Sequence, residues 1–250
     1  MIFHVIIPAR MASTRLPNKP LADIAGVPMV VRVAQQAALS LAQSVTVAAD
    51  DERIVEACQQ HGISAILTAT NHESGTARLA EAALLLGFGE EDLVVNVQGD
   101  EPLIDPKCIN LVAELLSRHK APMATLAHRI HTIEEVFNPN VVKVVVNKKQ
   151  EAMMFSRAPI PYARDSFSEH PVLPQGVVYL RHIGLYAYRV GFLYQYITLS
   201  PSPIELVEAL EQLRVLWYGY AISVGMVDAA PLAGVDTPED LARVRATFLT

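Results

Sequence analysis

Three cations lie in one short loop near the start of the chain. Arg10, Arg15 and Lys19 follow an apolar, strand-like run, Ile2–Ile7, in a segment broken by prolines and rich in small residues. Guanidinium forks and an ammonium group neutralise phosphate oxygens, and Ser13 adds a hydroxyl to the set. The loop therefore predicts a polyphosphate site.

Two turns that carry carboxylates are candidates for holding a divalent cation. Asp100 and Glu101 follow a buried apolar run, and Asp236 precedes a helical pattern that begins at Pro238. A hard cation such as Mg²⁺ prefers oxygen ligands and usually keeps part of its water shell. Ordinary alternatives remain open: a solvated Asp100, a helix-capping Glu101, and an N-cap at Asp236 or Thr237.

The first half of the chain has the rhythm that positions such loops, because short β-branched runs alternate with segments of helical period. The predicted strands are Ile2–Ile7, Ser44–Ala48, Ser64–Leu67 and Leu93–Val97, and the predicted helices are Met29–Leu39, Glu52–Gln60, Thr76–Leu86 and Pro106–Ser117. This order indicates an α/β fold with a mostly parallel, Rossmann-like sheet flanked by helices. The loops 8–21 and 98–102 both follow strands, so they should share the rim where such sheets bind ligands.

The second half changes character after Met123. Strand-like runs stand on both sides of a Pro-rich stretch at 159–174. This pattern predicts a smaller β-rich lobe at about 124–200, within a single domain that spans 1–250. The exposed Pro-rich loop is a candidate for a subunit contact. The predicted strands are Ala124–Ile130, Val141–Val146 and Gly184–Arg189. One long helix, Pro203–Trp217, follows, with Leu206, Leu210, Leu213 and Trp217 as its core positions, and Pro238–Phe248 is a final helix.

Composition excludes several classes of protein. The 250 residues are 51% hydrophobic, with a net charge of −6, which argues against a general nucleic-acid binder. No P-loop or dinucleotide fingerprint is present, since Gly87 and Gly89 are followed at the third position by Asp92. Neither a signal peptide nor a membrane span is expected. Cys58 and Cys108 have no metal-ligand spacing and are expected to be buried free thiols in a reducing cytoplasm.

Seven blocks of sequence, in order along the whole chain, resemble the 3-deoxy-manno-octulosonate cytidylyltransferase (CMP-Kdo synthetase) family. They read IPARMASTRLPNKPL at 7–21, HESGT at 72–76, NVQGDEP at 96–102, FSR at 155–157, RHIG at 181–184, LEQLR at 210–214 and VDTPED at 235–240. Met11 and Asn18 stand where an aromatic residue and a glycine are expected in many members. Asn18 still tolerates unusual backbone angles.

The resemblance implies a nucleotide-diphospho-sugar transferase type of fold and a defined reaction. CTP and Kdo, an eight-carbon sugar acid, would give CMP-Kdo and diphosphate for lipopolysaccharide biosynthesis, with Mg²⁺ as cofactor, in a cytoplasmic homodimer without nucleic-acid or membrane partners. The implied catalytic residues are Arg10, Lys19, Asp100 and Asp236, of which the two aspartates hold the metal. The implied nucleotide-binding residues are Pro8, Ala9, Arg10, Ser13, Arg15, Lys19, Ser74, Thr76 and Arg78, and the implied sugar-binding residues are Gln98, Arg157, His182, Tyr186, Glu211 and Gln212.

Each of these residues has an ordinary structural role as its alternative. Ser74–Thr76 would simply start a helix with Arg78 on its solvated face, Arg157 would pair with Asp165 or Glu151, His182 and Tyr186 would be packing residues, and Glu211 or Gln212 would face solvent.

Competing activities are also distinguishable from the sequence. A sialic acid-activating enzyme would share fold and CTP, but the blocks at 155–157 and 181–182 fit Kdo better. No residue excludes 8-amino-Kdo. A non-catalytic nucleotide-binding protein would lack metal ligands or loop cations, which are present here, and an oxidoreductase would need the missing glycine fingerprint.

Overall fold

A computed structural model describes residues 1–13, 15–72, 74–229 and 234–248, so Thr14 and Glu73 of the motif blocks lie outside the described residues. The elements in chain order are β1 (His4–Ala9), a 3-10 helix (Lys19–Leu21), β2 (Asp23–Ile24), β3 (Val27–Pro28), α1 (Met29–Ala37), β4 (Ser44–Ala49), α2 (Glu52–Gln60), β5 (Ser64–Leu67), α3 (Gly75–Leu85), β6 (Leu93–Asn96), α4 (Pro106–Arg118), β7 (Met123–Arg129), α5 (Ile133–Phe137), β8 (Lys143–Val146), β9 (Ala152–Ser156), β10 (Leu180–Arg189), α6 (Val190–Tyr196), α7 (Pro203–Glu208), α8 (Gln212–Trp217), β11 (Ile222–Val227) and α9 (Pro238–Phe248).

One mixed sheet organises these elements. Its strand order is β11-β7-β10-β6-β1-β4-β5, and along this path β10 alone runs antiparallel to its neighbours. The remaining strands on the path are parallel, so their carboxyl ends meet at one rim. The predicted mostly parallel sheet is confirmed.

Helices cover both faces of this sheet, as its strand pattern requires. Within β1, Val5 and Ile7 are buried against α1, α2 and α4, whereas Ile6 is buried against α3 and α6 on the other face. Successive side chains of a strand point to opposite faces, so a strand buried on both sides reads as a continuous apolar run. The first-half elements agree with their predicted bounds to within a few residues.

The lobe predicted at about 124–200 does not form a separate sheet. β7 and β10 lie inside the main sheet, and β8 and β9 extend it from β10 as an antiparallel pair. The hairpin strand β9 was not predicted, and neither were β11, α5 and α6. Short elements with few periodic positions give little signal. The start of β11 was nevertheless marked in the sequence, because Gly219, with a φ of 80°, ends the preceding helix.

The predicted helix Pro203–Trp217 is wrong as a single element. It breaks at Ala209, whose φ of 51° is left-handed, and the chain restarts as α8. Consequently Leu206 is 70% exposed and Trp217 is 53% exposed, while Leu210 and Leu213 are buried as predicted. The spacing of the apolar residues continues through the break, so periodicity could not reveal it.

Cys58 and Cys108 are both free and buried, as expected. Burial raises the pKa of the Cys58 thiol to about 11, so it behaves as a packing residue. None of the helices among the described residues is both long and apolar enough to cross a bilayer.

Candidate active site

The loops after β1 and β6 touch at the carboxyl rim of the sheet, as predicted. A side chain on Gly99 would place its Cβ 2.8 Å from the carbonyl oxygen of Pro8, so glycine is required for this approach. The amide of Val235 donates to the carbonyl oxygen of Asp100 at 2.8 Å. Three segments distant in sequence are thereby joined along one edge.

Lys19 connects the two predicted metal-ligating carboxylates. Its Nζ donates to Oδ2 of Asp100 at 2.6 Å and to Oδ1 of Asp236 at 2.9 Å, and only 14% of its side chain is exposed. Arg15 adds a second cation 3.0 Å from the same oxygen of Asp236. The predicted phosphate loop and the predicted metal ligands therefore form one cluster of compensating charges.

The alternative roles of the carboxylates are resolved by the structure. Thr237 is the residue that caps α9, because its Oγ1 accepts from the amide of Asp240. The carboxylate of Asp236 is left free to meet the cations. Glu101 does not cap α4, whose cap is Asp105. The Oε2 atom of Glu101 is sealed from solvent, and desolvation together with Asp100 raises its pKa to about 8.

A cavity of about 650 Å³, which we term the rim cavity, opens beside this cluster. It is lined by Pro8, Ala9, Arg10, Ala12, Ser13, Arg15, Lys19, Pro20, Gln98, Gly99, Asp100 and Asp236. Arg10 is exposed and has no ion-pair partner among the described residues. Asn18 occupies the left-handed region, with φ 54°, which satisfies the turn where a glycine was expected. The rim cavity thus offers an unpaired guanidinium to an anion.

A second cavity, the α3 cavity, continues from the first with a volume of about 260 Å³. It is lined by Pro8, Ala9, Arg10, His72, Ser74, Gly75, Arg78, Gln98 and Glu211. Ser74 is the N-cap of α3, which confirms the helix-start role proposed for it as an alternative. Arg78 is not on a solvated face: it is 3% exposed and donates to Thr68 Oγ1 at 2.6 Å.

Asp50, which directly follows β4, links the loop after β1 to α3 and was missed by sequence reasoning. Its Oδ1 accepts from the amide of Met11 at 2.8 Å, and its Oδ2 lies 3.6 Å from the guanidinium of Arg78. The signal was available, because Asp50 follows a strand just as Asp100 does.

A third cavity of about 330 Å³ lies along β10, and we term it the β10 cavity. It is lined by Asn140, Val142, Arg181, His182, Gly184, Tyr186, Ala209, Leu210, Glu211 and Gln212. The β10–β7 register shifts between Ile183 and Tyr186, which opens the strand beside this space. Glu211 also lines the α3 cavity, so the three spaces are neighbours along one cleft and share lining residues.

His182 and Tyr186 line this cavity as neutral groups. The His182 ring packs against Phe155 at 4.9 Å, and its Nε2 lies 3.0 Å from Thr125 Oγ1. Desolvation lowers the pKa of His182 to about 3 and raises that of Tyr186. These side chains can hydrogen-bond to a polar ligand without adding charge.

Glu211 and Gln212 begin α8, directly after the break at Ala209. Desolvation raises the pKa of Glu211, and its Oε2 accepts from Thr76 Oγ1 at 2.9 Å. Gln212 is 4% exposed and does not face solvent, whereas Glu211 remains exposed to solvent beside Thr76. The helix break is what directs both side chains into the cleft.

Arg157 is held by backbone groups and does not pair with Asp165 or Glu151. Its Nε donates to the carbonyl oxygen of Glu208 at 2.7 Å, and its Nη1 donates to that of Pro139 at 3.0 Å. Arg157 is absent from the residues lining the β10 cavity, although Asn140 and Ala209 beside its partners line it.

Glu208 and Lys143 hold the segment that carries Arg157. The carboxylate of Glu208 accepts from Ser156 Oγ at 2.5 Å and from the amide of Arg157 at 2.9 Å. Lys143 is fully buried and donates to the carbonyl oxygen of Arg157 at 2.7 Å. Desolvation lowers the pKa of Lys143. No feature of the sequence points to either residue, because both act through backbone groups that are remote along the chain.

The donor set at the rim fits a hard divalent cation. Asp100 and Asp236 converge on one ammonium group, and both carboxylates are partly exposed. The described residues contain no cluster of three or more His, Cys, Asp and Glu side chains suited to a metal. Two carboxylates leave positions for water or ligand oxygens, which is the usual arrangement for Mg²⁺.

Comparisons with known proteins agree with this geometry. Residues 4–222 match the cytidylyltransferase family. The chain is 57% identical over 249 residues to a 3-deoxy-manno-octulosonate cytidylyltransferase of Neisseria meningitidis serogroup A, covering 99% of this chain and 98% of the relative. It is 59% identical over 251 residues to the protein of that name from Acidovorax sp. strain JS42, covering 97% and 96%.

Solved structures extend the comparison to the fold. A CMP:2-keto-3-deoxy-manno-octonic acid synthetase complexed with CTP superposes with a TM-score of 0.90 at 41% identity, covering 100% of this chain and 99% of that one. A cytidylyltransferase from Leptospira borgpetersenii, at 17% identity and a TM-score of 0.61, shares the fold over 98% and 86% of the two chains. The chain therefore belongs to the cytidylyltransferase family and, within it, to the 3-deoxy-manno-octulosonate cytidylyltransferases.

Proposed function

We propose that the protein couples CTP to Kdo, giving CMP-Kdo and diphosphate. The observation that carries the proposal is a row of adjacent cavities, in which the cation-rich rim cavity shares Gln98 with the α3 cavity and the α3 cavity shares Glu211 with the polar β10 cavity. A triphosphate needs the first environment, and a hydroxyl-rich sugar acid needs the second. The names of the relatives at 57% and 59% identity support the same pair of substrates.

The proposed phosphate contacts come from the loop after β1. Arg10, Ser13, Arg15 and Lys19 bind the triphosphate and stabilise the departing diphosphate. Arg10 supports this role most directly, because it has no competing ion pair in the described structure. Ser74, Thr76 and Arg78 are proposed to lie around the cytidine, in the α3 cavity that Ser74 and Arg78 line.

Mg²⁺ is proposed as the cofactor, held by Asp100 and Asp236. When bound, it would supply positive charge to the phosphate oxygens and would lower the pKa of a nearby hydroxyl. Lys19 contacts both carboxylates, which supports a role in holding them close together and in neutralising the negative charge of the departing diphosphate.

The sugar is proposed to occupy the β10 cavity. His182, Tyr186, Glu211 and Gln212 line it, Gln98 lies at the junction with the rim, and Arg157 is held nearby by Glu208. Neutral imidazole and phenol groups, together with an amide and a carboxylate, match the alternating donors and acceptors of a polyol.

The reaction is an in-line displacement at the α-phosphorus. The anomeric hydroxyl oxygen of Kdo forms the new bond, the bond to the β-phosphate oxygen breaks, diphosphate leaves and the hydroxyl proton passes to solvent. Little covalent chemistry falls to the protein, so the rate depends on positioning and on charge neutralisation.

The direct test is diphosphate release by purified protein with CTP, Mg²⁺ and a panel of sugar acids. We expect rapid release with Kdo and little with sialic acid or 8-amino-Kdo. Release with another sugar acid but not with Kdo would overturn the substrate assignment. Binding of CTP without turnover of any sugar acid would favour the non-catalytic alternative.

We also propose a cytoplasmic homodimer that serves lipopolysaccharide biosynthesis. Exposed apolar side chains in the 150–178 region support a subunit contact, including Met153 at 61%, Tyr162 at 64% and Val172 at 59%. Two free buried thiols are consistent with a reducing compartment. Size-exclusion chromatography with light scattering should give twice the mass of the 27.3 kDa chain, and the mass of a single chain would contradict the dimer.

A further inference from the structure

Thr76 connects the two halves of the cleft. It lies in the first turn of α3, in the block that the resemblance assigns to the nucleotide, and it is 5% exposed. Its hydroxyl, however, donates to Oε2 of Glu211 on the opposite wall, at 2.9 Å. The donor is therefore engaged by a residue of the proposed sugar site.

Glu211 depends on this contact for its position. It follows the left-handed residue Ala209, so its side chain is not fixed by a regular helix on its amino-terminal side. The Ser74 hydroxyl also lies near the carboxylate, and the Tyr188 hydroxyl lies near Thr76. A charge-assisted bond from a buried donor selects one rotamer of a carboxylate, which still has acceptor capacity for a ligand hydroxyl.

A small polar chamber of about 80 Å³ lies at the same junction. Its lining includes Thr76, Asn96, Gln98, Tyr188, Glu211 and Gln212. Asn96 Oδ1 and Gln212 Nε2 are buried and have no hydrogen-bond partner among the described residues. A space of this size is large enough for several waters, since one water needs roughly 10–15 Å³. The chamber therefore lies between α3, β6 and α8, next to the hydrogen bond from Thr76 to Glu211.

We propose that Thr76 is a positioning residue of the sugar site, which acts by holding the Glu211 carboxylate toward the bound sugar acid. The inference rests on the proposed function and changes one part of it, because it assigns the Thr76 hydroxyl to the sugar side of the cleft. Through this contact, the helix that borders the nucleotide also orders the residue that binds the second substrate.

Steady-state kinetics of Thr76→Val test the assignment, because valine keeps the shape and removes the hydroxyl. We expect the KM for Kdo to rise about tenfold, as for loss of one charge-assisted hydrogen bond, with the KM for CTP within about twofold. Thr76→Ser keeps the donor and should restore the KM for Kdo to within about threefold. Thr46→Val, at another buried threonine whose hydroxyl donates to Ser64 Oγ at 3.4 Å, away from the cleft, should leave both constants unchanged.

A double variant establishes whether Thr76 acts through Glu211. In a Glu211→Ala background, Thr76→Val should raise the KM for Kdo by less than about twofold, because the partner is already absent. Independent, multiplicative effects would overturn the proposal. So would a rise confined to the KM for CTP, a rise of both constants together, or failure of Thr76→Ser to rescue.

Failure of the proposed function is read separately, from the wild-type protein. If wild-type protein uses a different sugar acid, the Kdo assignment fails, and the same set of variants measured with that acid still decides the role of Thr76. Calorimetric titration with CTP and Mg²⁺ gives a second readout. An affinity for CTP that falls about tenfold in Thr76→Val would overturn the inference whichever sugar acid is used.

Discussion

The rim cavity and the β10 cavity are built from different kinds of side chain. At the rim, Lys19, Arg15, Asp100 and Asp236 carry full charges that compensate one another, and most remain open to solvent. Along β10, His182 and Tyr186 are kept neutral by desolvation, and the Glu211 carboxylate accepts a hydrogen bond from the buried Thr76. The phosphates of a nucleotide meet exchangeable ion pairs, whereas the hydroxyl groups of a sugar acid meet fixed hydrogen-bonding groups.

This difference has a physical reason. Exposed ion pairs are worth little individually and rearrange easily, so the rim can exchange its internal pairs for phosphate and metal. Hydrogen bonds to a sugar discriminate only when donors and acceptors are held in place, because an unpaired buried polar group is costly. Three sugar-side residues accordingly have a second residue holding them, because Glu208 holds Arg157, Thr125 holds His182 and Thr76 holds Glu211.

The largest expected effect is at the rim. Asp100→Asn and Asp236→Asn should each lower kcat by about 100-fold or more with the fold intact, because each removes a charge needed to hold Mg²⁺. The measurement is diphosphate release at saturating CTP and Kdo, with a far-UV spectrum as the check on folding.

Asp51→Asn is the matched control for these variants. Asp51 also follows a strand, but it caps α2 and pairs with Arg53 at the surface. Asparagine is an equally good N-cap, so turnover should be unchanged. Near-normal turnover in either Asp100→Asn or Asp236→Asn would exclude that carboxylate as an essential metal ligand.

A smaller effect should separate the sugar side from the rim. Glu208→Ala leaves the Ser156 hydroxyl and the Arg157 amide without their acceptor, so the KM for Kdo should rise about tenfold while the KM for CTP changes little. Glu56→Ala, on the exposed face of α2, is the control and should change neither constant. An equal rise in the KM for Kdo and the KM for CTP would show that Glu208 supports the whole fold and not only the residues beside the β10 cavity.

The neutral state of His182 should appear in the pH dependence of stability. Its folded pKa is lowered to about 3 from the usual 6.5, so between these values the unfolded chain binds a proton that the folded chain does not. The free energy of unfolding therefore keeps the whole contribution of the neutral ring above pH 6.5. Below pH 6.5 it falls with the pH, by at most about 1.4 kcal/mol per pH unit.

Urea unfolding at pH 6 and pH 5 checks this sign. His182→Gln should lose less stability than wild type over that interval, because it lacks the titrating group. Identical pH dependence in the two proteins would mean that His182 titrates normally in the folded state.

The smallest effect concerns the helix break. Leu206→Lys should change the free energy of unfolding by less than about 0.5 kcal/mol, because Leu206 is 70% exposed on α7. Leu213→Ala, on the buried side of α8, should cost about 2–5 kcal/mol. Similar costs in urea titrations would contradict the break at Ala209 and restore a single amphipathic helix.

The rim was readable from sequence because its parts are local. Two of its loops follow predicted strands, so the strand and helix periods alone bring Arg10, Lys19 and Asp100 to one edge. The place of Asp236 at that edge did not follow from the periods, because β11, the strand before it, was not predicted. Asp50 could have been found by the same reasoning. The convergence of Lys19 on both aspartates could not, because it depends on side-chain rotamers.

The arrangement of the residues around the β10 cavity was much harder to predict from the sequence. It depends on a backbone break at Ala209, where neither glycine nor proline marks the sequence, and on contacts such as Thr76 with Glu211 across 135 positions. Lys143 also escaped notice, since a lysine in a strand pattern is usually solvated and this one donates to three carbonyl oxygens. The residue types came from the resemblance, and their arrangement came only from the fold.

The central claim is that the rim cavity presents the α-phosphorus of CTP to a hydroxyl of a sugar acid that is bound in the β10 cavity. Kdo labelled with oxygen-18 at its anomeric hydroxyl tests this directly, with the products followed by phosphorus-31 NMR. The label should remain in the bridge of the new phosphodiester, shifting its resonance, while diphosphate stays unlabelled. An unlabelled phosphodiester, or label in diphosphate, would contradict the account.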